Sequence, residues 1–265
     1  MRPSFSLGAL LLCTLAFGSF FCSIAGIGTV RAQSTSGDLT VSAAASLKDV
    51  LDDVAAAYKT TQPGVTLRFN LGASGTLQQQ IEQGAPIDVF LSAAPPQMDA
   101  LASKSLLMDG TRRDLVRNSI VLIAPASGGR VSSFQDLARA QVKFIAVGEP
   151  QTVPAGAYAK EVLTHLGLYD SLQSKFVLAR DVRQVLTYVS TGNADAGIVY
   201  STDARTTPQV KVVAVAPEDS HSPVIYPVAI LKGTHNAAAA KAFCDYLFSP
   251  KAQDIFKKFG FAPAE

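Results

Sequence analysis

Cysteine is scarce in this chain: three among 265 residues, and two of them, Cys13 and Cys22, sit in an amino-terminal stretch that reads as an export signal. Arg2 precedes an apolar run from Leu7 to Ile27, Val30-Arg31-Ala32 offers small residues for cleavage, and a polar Gln33–Asp38 follows. Residues 1–32 are therefore expected to be a signal peptide. The same run is long enough to span a bilayer at about 20 residues, so a retained membrane tether is the alternative; Gly18, Gly26, Gly28 and the cleavage site favour removal. Phe20 and Phe21 put bulky aromatics ahead of Cys22, which does not suit a lipid-modified cysteine. Only Cys244 remains after cleavage. That excludes an internal disulfide, although an exported protein would permit one. Its neighbours Ala242, Phe243 and Leu247 predict a buried thiol.

Histidine is equally sparse, and His165, His221 and His235 are scattered without metal-ligand spacing, so no direct cation site is expected. Net charge is missing too. Of 23 basic side chains, Arg2 and Arg31 leave with the signal, which balances the remainder against the 21 acidic ones. A neutral chain argues against nucleic acid as a partner, because polyanion binding depends on clustered Lys and Arg. A small anion stays possible, since backbone N–H groups and dipoles hold one without net charge. Internal repeats and low-complexity segments are absent from the mature chain.

What is present is an alternation of short apolar runs with helical patterns. Leu39–Ala45, Val65–Leu71 and Val89–Leu91 read as strands. Between them lie a helix striped by Leu47, Val50, Leu51, Val54 and Tyr58 and a shorter one over 76–83. A second set follows: strands at 120–124, 144–147, 176–178, 196–200 and 212–216, with helices at 157–166 and 182–189. Val224–Leu231 is a further strand, and helical material runs from Asn236 to Phe259, restarted at Ser249-Pro250. This order predicts an α/β protein with mostly parallel sheets covered by helices.

Four strand-to-helix junctions share a chemistry. They are Ala45-Ser46-Leu47, Gly72-Ala73-Ser74-Gly75, Val153-Pro154-Ala155-Gly156 and Asp181-Val182-Arg183. Helix N-termini carry unpaired N–H donors and a partial positive charge, so several that converge make an anion site. Each junction taken alone is a capped helix serving its own fold. Enzyme motifs are lacking: the glycine spacing and lysine of a P-loop are missing, and no Gly-x-Ser-x-Gly elbow occurs. Nothing in the sequence sets a histidine beside Ser46 or Ser74, and Asp88 reads as a structural carboxylate.

The stretches 41–47, Gly84-Ala85-Pro86-Ile87-Asp88, 146–150, Val153–Lys160, Gly197-Ile198-Val199-Tyr200, 217–221 and 225–229 resemble the periplasmic molybdate-binding proteins of ABC importers. The likeness runs from about Asp38 to Ala262. It implies a two-lobed periplasmic-binding-protein fold, each lobe a mostly parallel sheet flanked by helices, with the ligand cleft between lobes. Lobe 1 is expected to comprise 38–118 plus 226–265, and lobe 2 119–225. Two sequential domains split near Asn118 are the alternative. Further implications are an oxyanion ligand, molybdate or tungstate, held by Ser46, Ser74, Ala155, Val182 and Tyr200. The serine and tyrosine hydroxyls and the Ala155 and Val182 N–H groups are the implied donors, with Arg183 outside the contacts. No cofactor and no catalysis are implied. The implied partner is an inner-membrane permease, and the expected protein is a periplasmic monomer. Gly72 and Gly75 depart from relatives that carry alanine or serine around the second serine. Another oxyanion, sulfate or phosphate, or a serine-dependent hydrolase are the competing functions.

Overall fold

The computed structural model describes residues 37–128 and 130–264; the expected signal peptide, residues 1–32, lies outside the described residues. The chain opens with β1 (Gly37–Ala44), a 3-10 turn (Ala45–Leu47), α1 (Lys48–Thr61), β2 (Val65–Gly72), α2 (Ser74–Glu82) and β3 (Val89–Leu91). Leu39, Val41 and Ala43 of β1 are fully buried, as befits a strand covered on both faces. Val50, Leu51, Val54 and Tyr58 form the buried stripe of α1, three and four residues apart.

α3 (Pro95–Ser103) and β4 (Arg113–Arg117) follow, then β5 (Ile120–Pro125), β6 (Ile145–Gly148), α4 (Pro154–His165), α5 (Tyr169–Leu172) and β7 (Phe176–Ala179). The remaining elements are α6 (Val182–Ser190), β8 (Ala196–Tyr200), α7 (Ser201–Ala204), β9 (Val210–Val215), β10 (Ile225–Ile230), α8 (Ala237–Leu247), α9 (Pro250–Lys258) and β11 (Ala262–Pro263). Two sheets result, ordered β11-β4-β10-β3-β1-β2 and β7-β6-β8-β5-β9. The chain passes from the first to the second between β4 and β5, and returns between β9 and β10.

Both sheets are mixed rather than mostly parallel. β2, β1 and β3 run parallel, as do β7, β6 and β8. β10, β4 and β11 pair antiparallel in the first sheet, and β5 pairs antiparallel with β8 and β9 in the second. Apart from the two-residue β11 near the chain's end, the antiparallel strands β4, β5, β9 and β10 flank the two crossings, where the chain changes sheets without a helical return. The parallel halves are the ones fed by helices. That puts the helix N-termini at the carboxyl ends of β1, β2, β6 and β7.

α8 and α9, though last in sequence, pack on α1 of the first sheet. Tyr58 meets Phe243 edge-on at 5.3 Å and Tyr246 at 4.9 Å, and Lys258 reaches Asp53 at 3.1 Å. Cys244 is buried in this layer, and burial pushes its thiol up to about 12, which leaves it inert. Replacing the fully buried Phe243 by alanine removes the ring that ties α8 to α1. The expected cost is about 3–5 kcal/mol in denaturant unfolding. Phe144→Ala, at a ring 56% exposed, serves as the control and should leave the midpoint nearly unchanged.

Candidate functional site

At the carboxyl ends of the strands, four helical starts converge from the two sheets. The 3-10 turn brings Ser46, α2 brings Ser74, α4 brings Ala155, and α6 brings Val182. Tyr200, the last residue of β8, closes the group. All five line one chamber, together with Ala44, Ala45, Gly72, Ala73, Ala93, Val153, Pro154 and Asp181. The five residues named from the sequence are thus brought together; Ala93, which follows β3, is a lining residue the sequence did not single out.

The chamber leaves ≈ 10 Å³ for the centre of a water-sized sphere. So small a chamber suits a compact ion rather than a sugar or a peptide. A roomier cleft of ≈ 480 Å³ lies beside Tyr158, Pro154 and Pro223, but Asp99 and Glu161 line it and repel anions.

The donors are built by local chemistry. Pro154 starts α4 and has no N–H to lose, so Ala155 carries the first donor of that helix. Gly156 lets α4 press onto β6, because a methyl group there would collide with the Gly148 carbonyl oxygen. Asp181 is the one carboxylate in the lining, and it is turned into the N-cap of α6, accepting from Gln184 N at 2.9 Å. Ser74 Oγ accepts the Ala93 N–H at 3.0 Å, which leaves its own hydrogen free to donate. Ser46 Oγ lies 3.0 Å from the Tyr226 hydroxyl. The Tyr200 hydroxyl donates to the Ala93 carbonyl at 3.5 Å and also meets the Tyr226 hydroxyl, and complete burial holds its phenol well above the ordinary tyrosine range, so it stays protonated.

Arg183, next to Val182, is not in the lining. Its Nε lies 2.8 Å from Asp203 Oδ1, paired by charge rather than by an aligned hydrogen bond, and its Nη2 lies 2.6 Å from Asp49 Oδ2. The same Nη2 donates to the Ser46 carbonyl at 3.3 Å. Asp49 and Ser46 precede β2 in the first sheet's part of the chain, whereas Arg183 and Asp203 border strands of the second, so the guanidinium ties the two together. Asp203 is completely buried; burial lifts its carboxyl to about 6, with Arg183 pulling it back down. A second tie is between backbones: Gly75 N donates to Thr152 O at 2.9 Å, and a methyl group on Gly75 would sit 2.7 Å from that oxygen. The departure at Gly75 noted in the sequence is therefore a close-approach requirement.

No histidine lines the chamber. His221 lies edge-on to Tyr158 at 5.8 Å, with Nδ1 2.7 Å from the Ser222 carbonyl oxygen. Neither serine has a base beside it, and the arrangement can hold an anion but not activate a nucleophile.

Comparison with known proteins agrees with this geometry. Residues 39–262 match the family model described as bacterial extracellular solute-binding protein. The molybdate-binding protein ModA of Escherichia coli is 43% identical over 236 residues, covering 87% of this chain and 91% of that protein. The solved periplasmic molybdate-binding protein of Azotobacter vinelandii superposes with a TM-score of 0.78 at 27% identity, covering 86% of this chain and 100% of that one. The sulfate-binding protein SubI of Mycobacterium tuberculosis shares the fold, with a TM-score of 0.76 at 16% identity over 86% of this chain and 87% of that one. Solute-binding proteins are transport components rather than enzymes, and the two-lobed fold inferred from the sequence is theirs. The chain belongs to the bacterial extracellular solute-binding protein family.

Proposed function

We propose that this protein captures molybdate, and tungstate equally well, outside the inner membrane and hands it to an ABC-type permease. The observation that carries this reading is the convergence of two serine hydroxyls, a tyrosine hydroxyl and two helix N-termini on one chamber sized for a compact ion. Ser46, Ser74 and Tyr200 donate through their hydroxyls, and Ala155 and Val182 through their backbone N–H groups. The identity to ModA of Escherichia coli supports molybdate as the oxyanion.

Neutral donors suit reversible capture. They satisfy a buried dianion without an ion pair that has to be broken on delivery, and each charge-assisted bond is stronger than a neutral one. Molybdate and tungstate are nearly equal in size and charge, so the chamber hardly separates them. Sulfate is smaller and leaves some donors out of reach.

The lobes divide, in this reading, into 38–118 plus 226–265 and 119–225, with the two chain crossings as the hinge. Residues 1–32 act as a cleaved signal peptide, and the processed protein is a periplasmic monomer. Amino-terminal sequencing of a periplasmic extract tests this; a chain starting near Gln33 is the expected result, and an intact Met1 end in the membrane fraction reverses it.

Titration calorimetry with molybdate, tungstate, sulfate and phosphate tests the ligand. Molybdate and tungstate are expected to bind below micromolar, about −8.2 kcal/mol or better. Equal affinity for sulfate would defeat the specificity.

Single donors can be weighed the same way. Ser74→Ala removes one bond to a doubly charged ligand and should cost about 1.5–3 kcal/mol of binding. Arg183→Gln should weaken molybdate binding less than Ser46→Ala does, yet lower the melting temperature more, because Asp203 loses its buried partner. The opposite order in binding would mean that the guanidinium is itself the anion's counter-charge. Gly75→Ala should leave the melting temperature of the unliganded protein nearly unchanged and weaken molybdate binding, since the added methyl holds α2 off Thr152.

A further inference from the structure

The cleft of ≈ 480 Å³ beside the chamber is a space of its own, with walls from both sheets' territories. Pro95 and Pro96 at the start of α3 stand on one side, Pro154 and Tyr158 of α4 on the other, and Pro223 comes from the segment between β9 and β10. Proline rings and an aromatic give it an apolar lining, and its volume falls in the range of small-molecule sites, about 300–1,000 Å³. Tyr158 is fixed in place. Its hydroxyl donates to the Pro223 carbonyl at 3.3 Å, and burial, with the charge of Glu161 second, holds the phenol above its ordinary range. Charge in the lining is of one sign. Among the described residues, no lysine, arginine or histidine lines the cleft, whereas Asp99 and Glu161 do. Asp99 is paired with Arg112. Glu161 has no such partner among the described residues: Oε2 accepts the Ser222 N–H at 2.6 Å, and Oε1 is left open. A half-buried carboxylate against apolar walls has lost part of its hydration, and a positive partner compensates that loss.

We propose that this cleft is a second binding site, for an organic ammonium ion carrying an apolar body, and that its occupancy strengthens anion binding in the chamber. The ammonium group donates to Glu161 Oε1, and the body packs on the prolines and Tyr158. The cation site stands on the cleft alone; the coupling rests on the anion-binding reading above. The two spaces share a wall. Pro154 lines both, Ala93 lines the chamber where Ala94 lines the cleft, and Tyr158 meets Tyr200 edge-on at 6.5 Å. A cation in the cleft therefore faces the bound dianion across that wall, and the two attract. Arg183 does not already fill this role, since it is engaged with Asp49 and Asp203 outside the chamber. An occupant that touches α3 on one side and α4 on the other also favours the approach of the two sheets, which acts in the same direction. Coupling of this kind is reciprocal, so a bound oxyanion tightens the cation as well.

Phenethylammonium chloride is the probe, with 2-phenylethanol as its uncharged counterpart. An amide NMR titration of the unliganded protein should show saturable binding of the ammonium at about 1 mM or tighter, with the alcohol at least about tenfold weaker. Equal binding of the alcohol overturns the preference for a cation, and no saturation by about 10 mM overturns the site. Glu161→Gln keeps an acceptor for the Ser222 N–H but removes the charge. It should weaken the ammonium at least about fivefold and leave the alcohol within about twofold. An undiminished ammonium affinity in that variant places the probe elsewhere and overturns the assignment. For the coupling, molybdate is titrated calorimetrically in near-saturating probe and in sodium chloride of equal concentration. Its affinity should rise about 3- to 10-fold in wild type, and by less than about twofold in Glu161→Gln at the same probe concentration. No rise in wild type overturns the coupling. If neither molybdate nor sulfate binds in the absence of the probe, the anion-binding reading fails and takes the coupling with it, while the titration of the unliganded protein still decides the cleft.

Discussion

At Gly75 the two sheets' territories come within bonding distance. Its N–H reaches the Thr152 carbonyl at 2.9 Å, and no side chain larger than hydrogen fits between. The chamber exists because of this approach: Ser74 comes from one side, Ala155 and Val182 from the other, and donors held a few ångströms further apart would no longer surround one small ion. Arg183 reinforces the approach by spanning Asp49 and Asp203. The arrangement is lopsided by design of its charges. Cations near the chamber are spent on carboxylates of the protein itself, so the space inside is left to hydroxyls and N–H groups. Such a site is strong only when shut, since its donors are dipoles whose pull falls off steeply with distance and with entering water.

Much of this was legible in the sequence. The stripes of α1 and α6 gave their helices, because apolar residues three and four apart leave no other regular structure, and each junction carried its own signature in Ser46, Ser74, Pro154 or Asp181. All five residues inferred from the family likeness line one chamber. Other features were hidden for physical reasons. β4 has only Leu115 and Val116 buried between charged neighbours, too short a run to show alternation. α3 begins on Pro95-Pro96, a start signal that was available but is followed by just two buried residues, Met98 and Leu101. The antiparallel pairings depend on where the chain changes sheets, which periodicity does not record. Gly75 stood out only as a departure from relatives; its meaning needs Thr152, which lies far along the chain.

The buried carboxylate of Asp203 shows how such a site is kept free of charge. An ionised group in the interior is tolerated only when paired, and here the pairing is shared: one guanidinium serves Asp203 in the interior and Asp49 at the surface of α1. Separation of the sheets would leave Asp203 with the whole of Arg183 and release Asp49 to water. The ion triad therefore gives closure a modest electrostatic component that does not depend on the ligand, and it does so without lending the chamber a fixed positive charge.

Three of the chain's seven tyrosines form a run of edge-on rings beside the chamber, and the chain has no tryptophan. Tyr158 meets Tyr200 at 6.5 Å, Tyr200 meets Tyr226 at 5.6 Å, and Tyr226 meets Phe261 at 5.5 Å. Tyr200 belongs to one sheet and Tyr226 to the other, so any displacement of the sheets separates a coupled pair of chromophores. The consequence is optical. With no indole to drain excitation energy or to swamp the spectrum, near-ultraviolet dichroism and tyrosine emission become internal gauges of how far the molecule is closed, read without a label and without touching the chamber.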